Sequence, residues 1–345
     1  MRKHVISLSN GFIDEISLAI RQDLSLEKEP TLDFKVIYDD DRRIYKITVQ
    51  ESKVFYVLKI RGIRVVKQQD HDLSDLQKEY DLLQNGWSSV QNLSKSYSMS
   101  KPIKLWLDQK AMLLSGCEGE NLNDYFNQNI IKWFYANSDL KKRIFNCGFW
   151  LGNYHLIATK TESINEFLEI RKSHLDRMLK VLAKKNNHSL KNKEMETITN
   201  CFKQLTDNSG EIFNNVGQIH GNFAYRNVLS NNSLTNLVDF EDARIDYVGY
   251  DIGQFLAEII LKSQFPWLRG LSKSLIKKFK NGYEKHLELQ PSLIEAYTGY
   301  HLVVHLYEHC SRSQPSFPKS MIHQYRINYL AQQIKKWVKS SINAN

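Results

Sequence analysis

The 345-residue chain carries 47 Lys and Arg against 38 Asp and Glu, a net charge of +9, with 42% hydrophobic and 25% charged residues. These values are ordinary for a soluble globular protein, and the length suits two domains or lobes; the basic balance fits either a solvated surface or an anionic partner. No run of about eighteen apolar residues is present, so no membrane span is expected, and no dense Lys/Arg run with interleaved aromatics marks a nucleic-acid face.

In chain order, MRKHVISLSNGFIDEISLAI starts basic, but Asp14 and Glu15 interrupt any apolar core, so the segment is not expected to be a cleaved signal. TLDFKVIYDDDRRIYKITVQESKVFYVLKI alternates and is rich in Val, Ile, Tyr and Phe, predicting strands near 33–38, 43–50 and 53–60. SDLQKEYDLLQNGW predicts a helix at 74–87, with Leu76, Tyr80 and Leu83 at helical spacing, Ser74 as cap and Gly86 as stop. Two further strands fall within 102–115. A short linker follows, bounded by Gly116 and Gly119.

Beyond it the pattern turns helical, at 144–158, 164–185, 190–206, 251–263, 271–288, 292–310 and 321–339. The last of these places Leu330, Ile334, Trp337 and Val338 on one face, expected to pack on its own lobe. Strands first and helices after predict an α+β chain of two lobes, a β-rich N-lobe over 1–115 and a larger helical C-lobe over 116–345. Cys117, Cys147, Cys201 and Cys310 are scattered, with no C-x-x-C pair. That argues against a zinc knuckle or a disulfide framework and for a reducing, cytoplasmic setting.

Chemistry concentrates in QIHGNFAYRNVL at 218–229, followed by LVDFEDA and YDIGQFL. Phosphoryl transfer needs phosphates held, Mg²⁺ held, an acceptor hydroxyl positioned and its proton accepted. Asn222 and Asn227 stand five residues apart, and Asp239 closes an apolar strand. That order suits a positioning residue, an amide ligand and a metal carboxylate.

The stretch resembles the aminoglycoside phosphotransferase and choline kinase family, whose loop reads H-G-D-x-x-x-x-N, then D-F-E, then D-I-G or D-L-A. The resemblance is strong over 218–258 and weaker in YVLKI, QKEYDLL and the CEGENL linker. It implies a protein-kinase-like fold using ATP and Mg²⁺ on a small-molecule hydroxyl, such as a sugar, amino alcohol or aminoglycoside. It also implies that Lys59 touches the α/β-phosphates and Glu79 pairs with Lys59. By the same resemblance Asn227 and Asp239 would bind Mg²⁺, Asp251 would brace the catalytic loop, and Cys117 and Glu118 would lie at the hinge beside adenine.

Taken alone, Lys59 is a strand lysine and Glu79 a solvated helix residue; only the downstream motif gives them roles. His155 reads as a packed core histidine, His220 as structural, and Arg226 as an exposed loop arginine able to meet an anionic substrate.

The chain departs from the family pattern twice. Asn222 stands where the family has its aspartate base. An amide orients a hydroxyl but takes no proton as a carboxylate does, and base terms are worth about 10²–10⁴ in rate. The sequence therefore fits a slowed phosphotransferase, or a pseudokinase that binds nucleotide or a partner without transfer, or less well a repurposed fold that transfers another part of the nucleotide. The second departure is the turn YDDDRRIY, which has no glycine to bring backbone N–H groups close to phosphate. Asp39, Asp40 and Asp41 fit an exposed hairpin turn, or a phosphate cover offset by Arg42 and Arg43. The net charge weakly favours an anionic acceptor over a cationic drug.

Overall fold

The computed structural model describes residues 8–39, 42–52, 54–61, 69–91, 97–128, 137–161, 164–185, 187–207, 215–231, 233–312, 316 and 319–343. The chain forms two compact units, Met1–Glu118 with Asn236–Glu241, and Gly119–Thr235 with Asp242–Asn345.

The first unit opens with helix α1 (Asn10–Asp23), which the strand-and-helix pattern had not marked. Ser9 accepts a hydrogen bond from the Phe12 amide at 3.3 Å and caps it. Phe12, Ile16, Ala19 and Ile20 fall on one stripe and are buried, so the helix is held by packing. Strands β1 (Leu32–Asp39), β2 (Arg43–Val49) and β3 (Phe55–Ile60) follow, then helix α2 (Gln69–Val90), β4 (Tyr97–Met99), β5 (Pro102–Trp106) and β6 (Ala111–Ser115). The sheet order is β1-β2-β3-β6-β5, with each neighbouring pair antiparallel. Along β2, Arg43, Tyr45, Ile47 and Val49 are buried while Ile44, Lys46 and Thr48 are half-buried, the period-2 alternation of a sheet with one face on a core. That core joins α1 to Tyr45, Ile47, Tyr56, Leu58 and Trp106.

In the second unit, β7 (Glu120–Asn121) leads into helices α3 (Leu122–Gln128) and α4 (Ser138–Ala158), then β8 (Thr159–Thr161) and helices α5 (Asn165–Leu182) and α6 (Asn192–Asp207). Strand β9 (Asn215–Ile219) delivers the chain to the 218–229 loop and β10 (Val228–Ser230). After β11 (Thr235–Leu237) comes β12 (Arg244–Tyr247), antiparallel to β9. Helices α7 (Gly249–Lys262), α8 (Arg269–Tyr283), α9 (Pro291–Ser311) and α10 (Lys319–Asn343) complete it. Leu330, Ile334 and Trp337 of α10 enter a core with α5, α6 and α9, and Val338 packs against it. The fold class is the α+β, protein-kinase-like one. Among the described residues no helix is long and apolar enough to cross a membrane.

Candidate active site

In the first unit, β3 and α2 bring Lys59 and Glu79 together. Lys59 is 6% exposed and Glu79 2%, and Lys59 Nζ lies 3.1 Å from Glu79 Oε1. The same Nζ is 2.9 Å from Asp239 Oδ1, on the segment that rejoins this unit from far along the chain. The charges then close on themselves. Arg61 Nη2 reaches Glu79 Oε2 at 2.5 Å and Glu241 Oε1 at 3.3 Å; Arg42 pairs with Glu241 and stands 3.9 Å from Asp239. Three cations and three carboxylates alternate around one ring. Burial ties Lys59 and Glu79 to each other most tightly, because a buried charge left without its partner costs about 3–5 kcal/mol, while Arg42, Asp239 and Glu241 remain partly exposed. Asp239 sits at φ +68°, a left-handed conformation that Asp enters more readily than most residues. Arg43 turns elsewhere, to Asp39 at 2.9 Å. Asp40 and Asp41, the rest of the turn considered as a phosphate cover, lie outside the described residues.

At the other end of this unit, Cys117 Sγ is 3.4 Å from Ser100 Oγ. Loss of water around the thiol pushes it up to about 11, against the opposing Ser100 hydrogen bond, so Cys117 is a poor nucleophile at neutral pH. The Glu118 carbonyl accepts from Asn236 Nδ2 at 2.7 Å.

In the second unit, the 218–229 loop is pinned from α7. Asp251, fully buried, accepts from the amides of His220 at 2.7 Å and Gly221 at 2.8 Å. His155 of α4 brings Nε2 to 3.3 Å from the same carboxylate and Nδ1 to 3.0 Å from the Tyr283 hydroxyl. Burial pushes the Asp251 carboxyl up, but the hydrogen bonds and nearby charge of His155 and His220 outweigh it and hold it below the ordinary range. Gly221 has φ +77°, and a Cβ there would meet the Asp242 carbonyl oxygen at 2.0 Å. Only glycine allows the loop to pass this close.

Asn222 is held on both faces of its amide. Its Oδ1 accepts from Arg226 Nη2 at 2.7 Å and from Gln254 Nε2 at 3.3 Å; its Nδ2 donates to Asp242 Oδ2 at 3.1 Å. A carboxylate therefore lies one hydrogen bond from the position where the family carries its base. Asn227 donates Nδ2 to the Asn222 carbonyl at 2.8 Å, which leaves its amide oxygen as the group it can offer a cation. Among the described residues, no three His, Cys, Asp or Glu side chains gather as a metal site. Asp239 in the first unit and, separately, Asn227 in the second each carry an oxygen donor of the hard type.

The structure thus joins Lys59, Glu79 and Asp239 in one unit, and Asn222, Asn227 and Asp251 in the other. Arg61, Glu241 and Asp242 were not singled out from the sequence. Glu241 and Asp242 do follow Asp239 directly in DFEDA, but adjacency does not say which carboxylate faces which partner.

No family model matches the chain, and no curated protein matches it by sequence. Its fold is shared by solved structures. One is a candidate aminoglycoside phosphotransferase of Ralstonia eutropha JMP134, at TM-score 0.63 and 11% identity over 95% of this chain and 98% of that one. A choline kinase of Cryptosporidium parvum Iowa II matches at TM-score 0.55 and 13% identity, over 96% and 99%. An amicoumacin kinase in complex with AMP-PNP, Ca²⁺ and Ami matches at TM-score 0.51 and 11% identity, over 98% and 97%.

Proposed function

We propose that the chain is an ATP- and Mg²⁺-dependent phosphotransferase acting on the hydroxyl of a small molecule. The observation that carries this reading is Lys59, held at once by Glu79 and by Asp239, 180 residues away in sequence. A buried lysine pinned between two carboxylates presents a fixed positive charge where phosphates can be held. Arg42 and Arg61, in the same ring, are guanidinium groups suited to phosphate oxygens and stand in for the glycine-rich turn that the sequence lacks. Mg²⁺ would supply charge neutralisation on the phosphates when bound, with Asp239 the ligand this unit would give it and Asn227 the one the other unit carries.

In the second unit, Asn222 orients the acceptor hydroxyl and Asp242 receives its proton. The acceptor oxygen bonds to the γ-phosphorus, the bond from that phosphorus to the β-bridging oxygen breaks, and ADP leaves. The proton passes to Asp242 Oδ. The base is thus displaced by one side chain instead of lost. The chain itself, Asn222→Asp and Asp242→Asn are compared by ADP release over a panel of hydroxy acceptors. Asn222→Asp is expected to raise the rate and Asp242→Asn to lower it by about 10²-fold or more. If neither the chain nor Asn222→Asp releases ADP above background with any acceptor, the reading fails.

One observation favours a second reading, a nucleotide-binding module without transfer. Both polar atoms of the Asn222 side chain are already taken by the chain's own groups. That module would bind Mg·ATP and release no ADP.

A further inference from the structure

A cavity of about 330 Å³ lies wholly within the second unit, beside the catalytic loop. This is the small end of the range for ligand pockets. Its charged wall is unbalanced: Arg226, Lys262, Arg312 and Arg326 face it against Glu258 and Glu308. The two carboxylates offset only part of the four cations. Glu308 pairs with the exposed Arg312 at 3.5 Å, and Glu258 stands 3.9 Å from His305 Nε2. Lys262 and Arg326 have neutral partners instead: Lys262 donates to Asn123 Oδ1, and Arg326 Nε donates to Gln264 Oε1 at 3.2 Å.

We infer that this cavity is the acceptor site, and that it takes a small hydroxy compound bearing an anionic group, a phosphate or a carboxylate. The inference rests on the phosphotransferase reading for the word acceptor; the anion site stands on its own geometry. Three observations carry it. First, the cations outnumber the carboxylates, four to two, around a half-enclosed space. Second, polar atoms are left over. Nδ1 of His309, on the cavity wall, and Nε2 of nearby His323 are buried and have no hydrogen-bond partner among the described residues. A ligand oxygen reaching them would relieve that cost. Third, Arg226 belongs both to this wall and to Asn222, whose Oδ1 it holds at 2.7 Å. A molecule seated against Arg226 would touch the side chain that holds Asn222 in place.

The titration behaviour agrees. Burial pushes Lys262 below its ordinary range, with Arg326 adding to it against the opposing pull of Glu258; burial with Arg312 does the same to Arg326, again against Glu258. These cations disfavour one another, as they do in a site completed by an anion. Cationic acceptors, choline or an aminoglycoside among them, meet the wrong sign here.

Calorimetry on the full chain without nucleotide tests this, with sn-glycerol 3-phosphate, D-glycerate, inorganic phosphate and choline as probes. At least one hydroxy anion is expected to bind and choline is not; the stronger of the first two identifies the anionic group. Arg326→Gln and Lys262→Gln, each checked for an unchanged melting temperature, are expected to weaken that binding at least about 10-fold, equal to about 1.4 kcal/mol. Choline binding without anion binding overturns the inference. So does binding of no probe, or anion binding that neither variant weakens. Mg·ATP binding measured on the same samples separates the two readings. ATP binding without anion binding sinks the anion site alone, and anion binding without ATP binding sinks the phosphotransferase reading alone.

Discussion

Two charge clusters in this molecule are built on opposite principles. In the first unit, Lys59, Arg61 and Arg42 alternate with Glu79, Glu241 and Asp239, so each charge finds its counter-charge in the chain itself. In the second, four cations line the cavity between α7, α9 and α10 against two carboxylates, and Lys262 and Arg326 donate to amide oxygens. The closed ring fixes side chains before any ligand arrives. The open cluster leaves a surplus for a ligand to complete. Fixed geometry is what positions phosphates for transfer, while unmatched charge is what selects a partner by sign.

The contrast breaks most visibly at Glu79. Glu79→Ala leaves Lys59 and Arg61 buried beside one carboxylate fewer, and urea unfolding is expected to show a loss of about 3–5 kcal/mol. A smaller loss, about 2–3 kcal/mol, is expected for Asp251→Asn, which sets an amide NH₂ against one of the two backbone N–H groups the carboxylate now accepts.

Acid acts on the second unit. Burial, together with Arg326, Arg312, His323 and His305, pushes His309 down to about 3; burial with His305 and Arg171 pushes His301 well below its ordinary 6.5. Both are held neutral in the fold and gain protons on unfolding. Stability therefore falls as pH drops from about 6.5 towards 3, and His309→Gln is expected to flatten that slope in urea titrations. Asp251, held below 3.8, adds its own loss only beneath that value. The smallest effect sharpens the comparison. Lys262→Gln removes a cation whose closest polar contact is the Asn123 amide, and its stability is expected to stay within about 0.5 kcal/mol of the parent, in contrast to Glu79→Ala.

The candidate site residues that could be read from sequence sit in short, regular contexts. Lys59 stands in an alternating strand, Glu79 in a helix with periodic leucines, and Asn222, Asn227, Asp239 and Asp251 keep a fixed order and spacing. What escaped were residues whose roles depend on approach across space. Helix α1 hid behind a polar N-terminus, although Ser9 and the Phe12, Ile16, Ile20 spacing signalled it. Arg61 lies just past a strand, where nothing local distinguishes it from a solvated arginine. Asp242 gains meaning only because Gly221 lets the loop come against it. The cavity draws Lys262, His309 and Arg326 from three helices, each with an ordinary amphipathic pattern, and no periodicity announces that their polar edges converge.

The central claim is that the ring around Lys59 and Asp239 holds a metal–nucleotide complex. The most direct measurement is the melting temperature of the chain and of Asp239→Asn with ATP alone, Mg²⁺ alone, and both. A ligand that binds only the native state stabilises it by about 2.7 kcal/mol at a hundredfold excess over Kd. The account predicts a rise that needs ATP and Mg²⁺ together and that disappears in Asp239→Asn. No rise under any condition, or an equal rise in the variant, would contradict it.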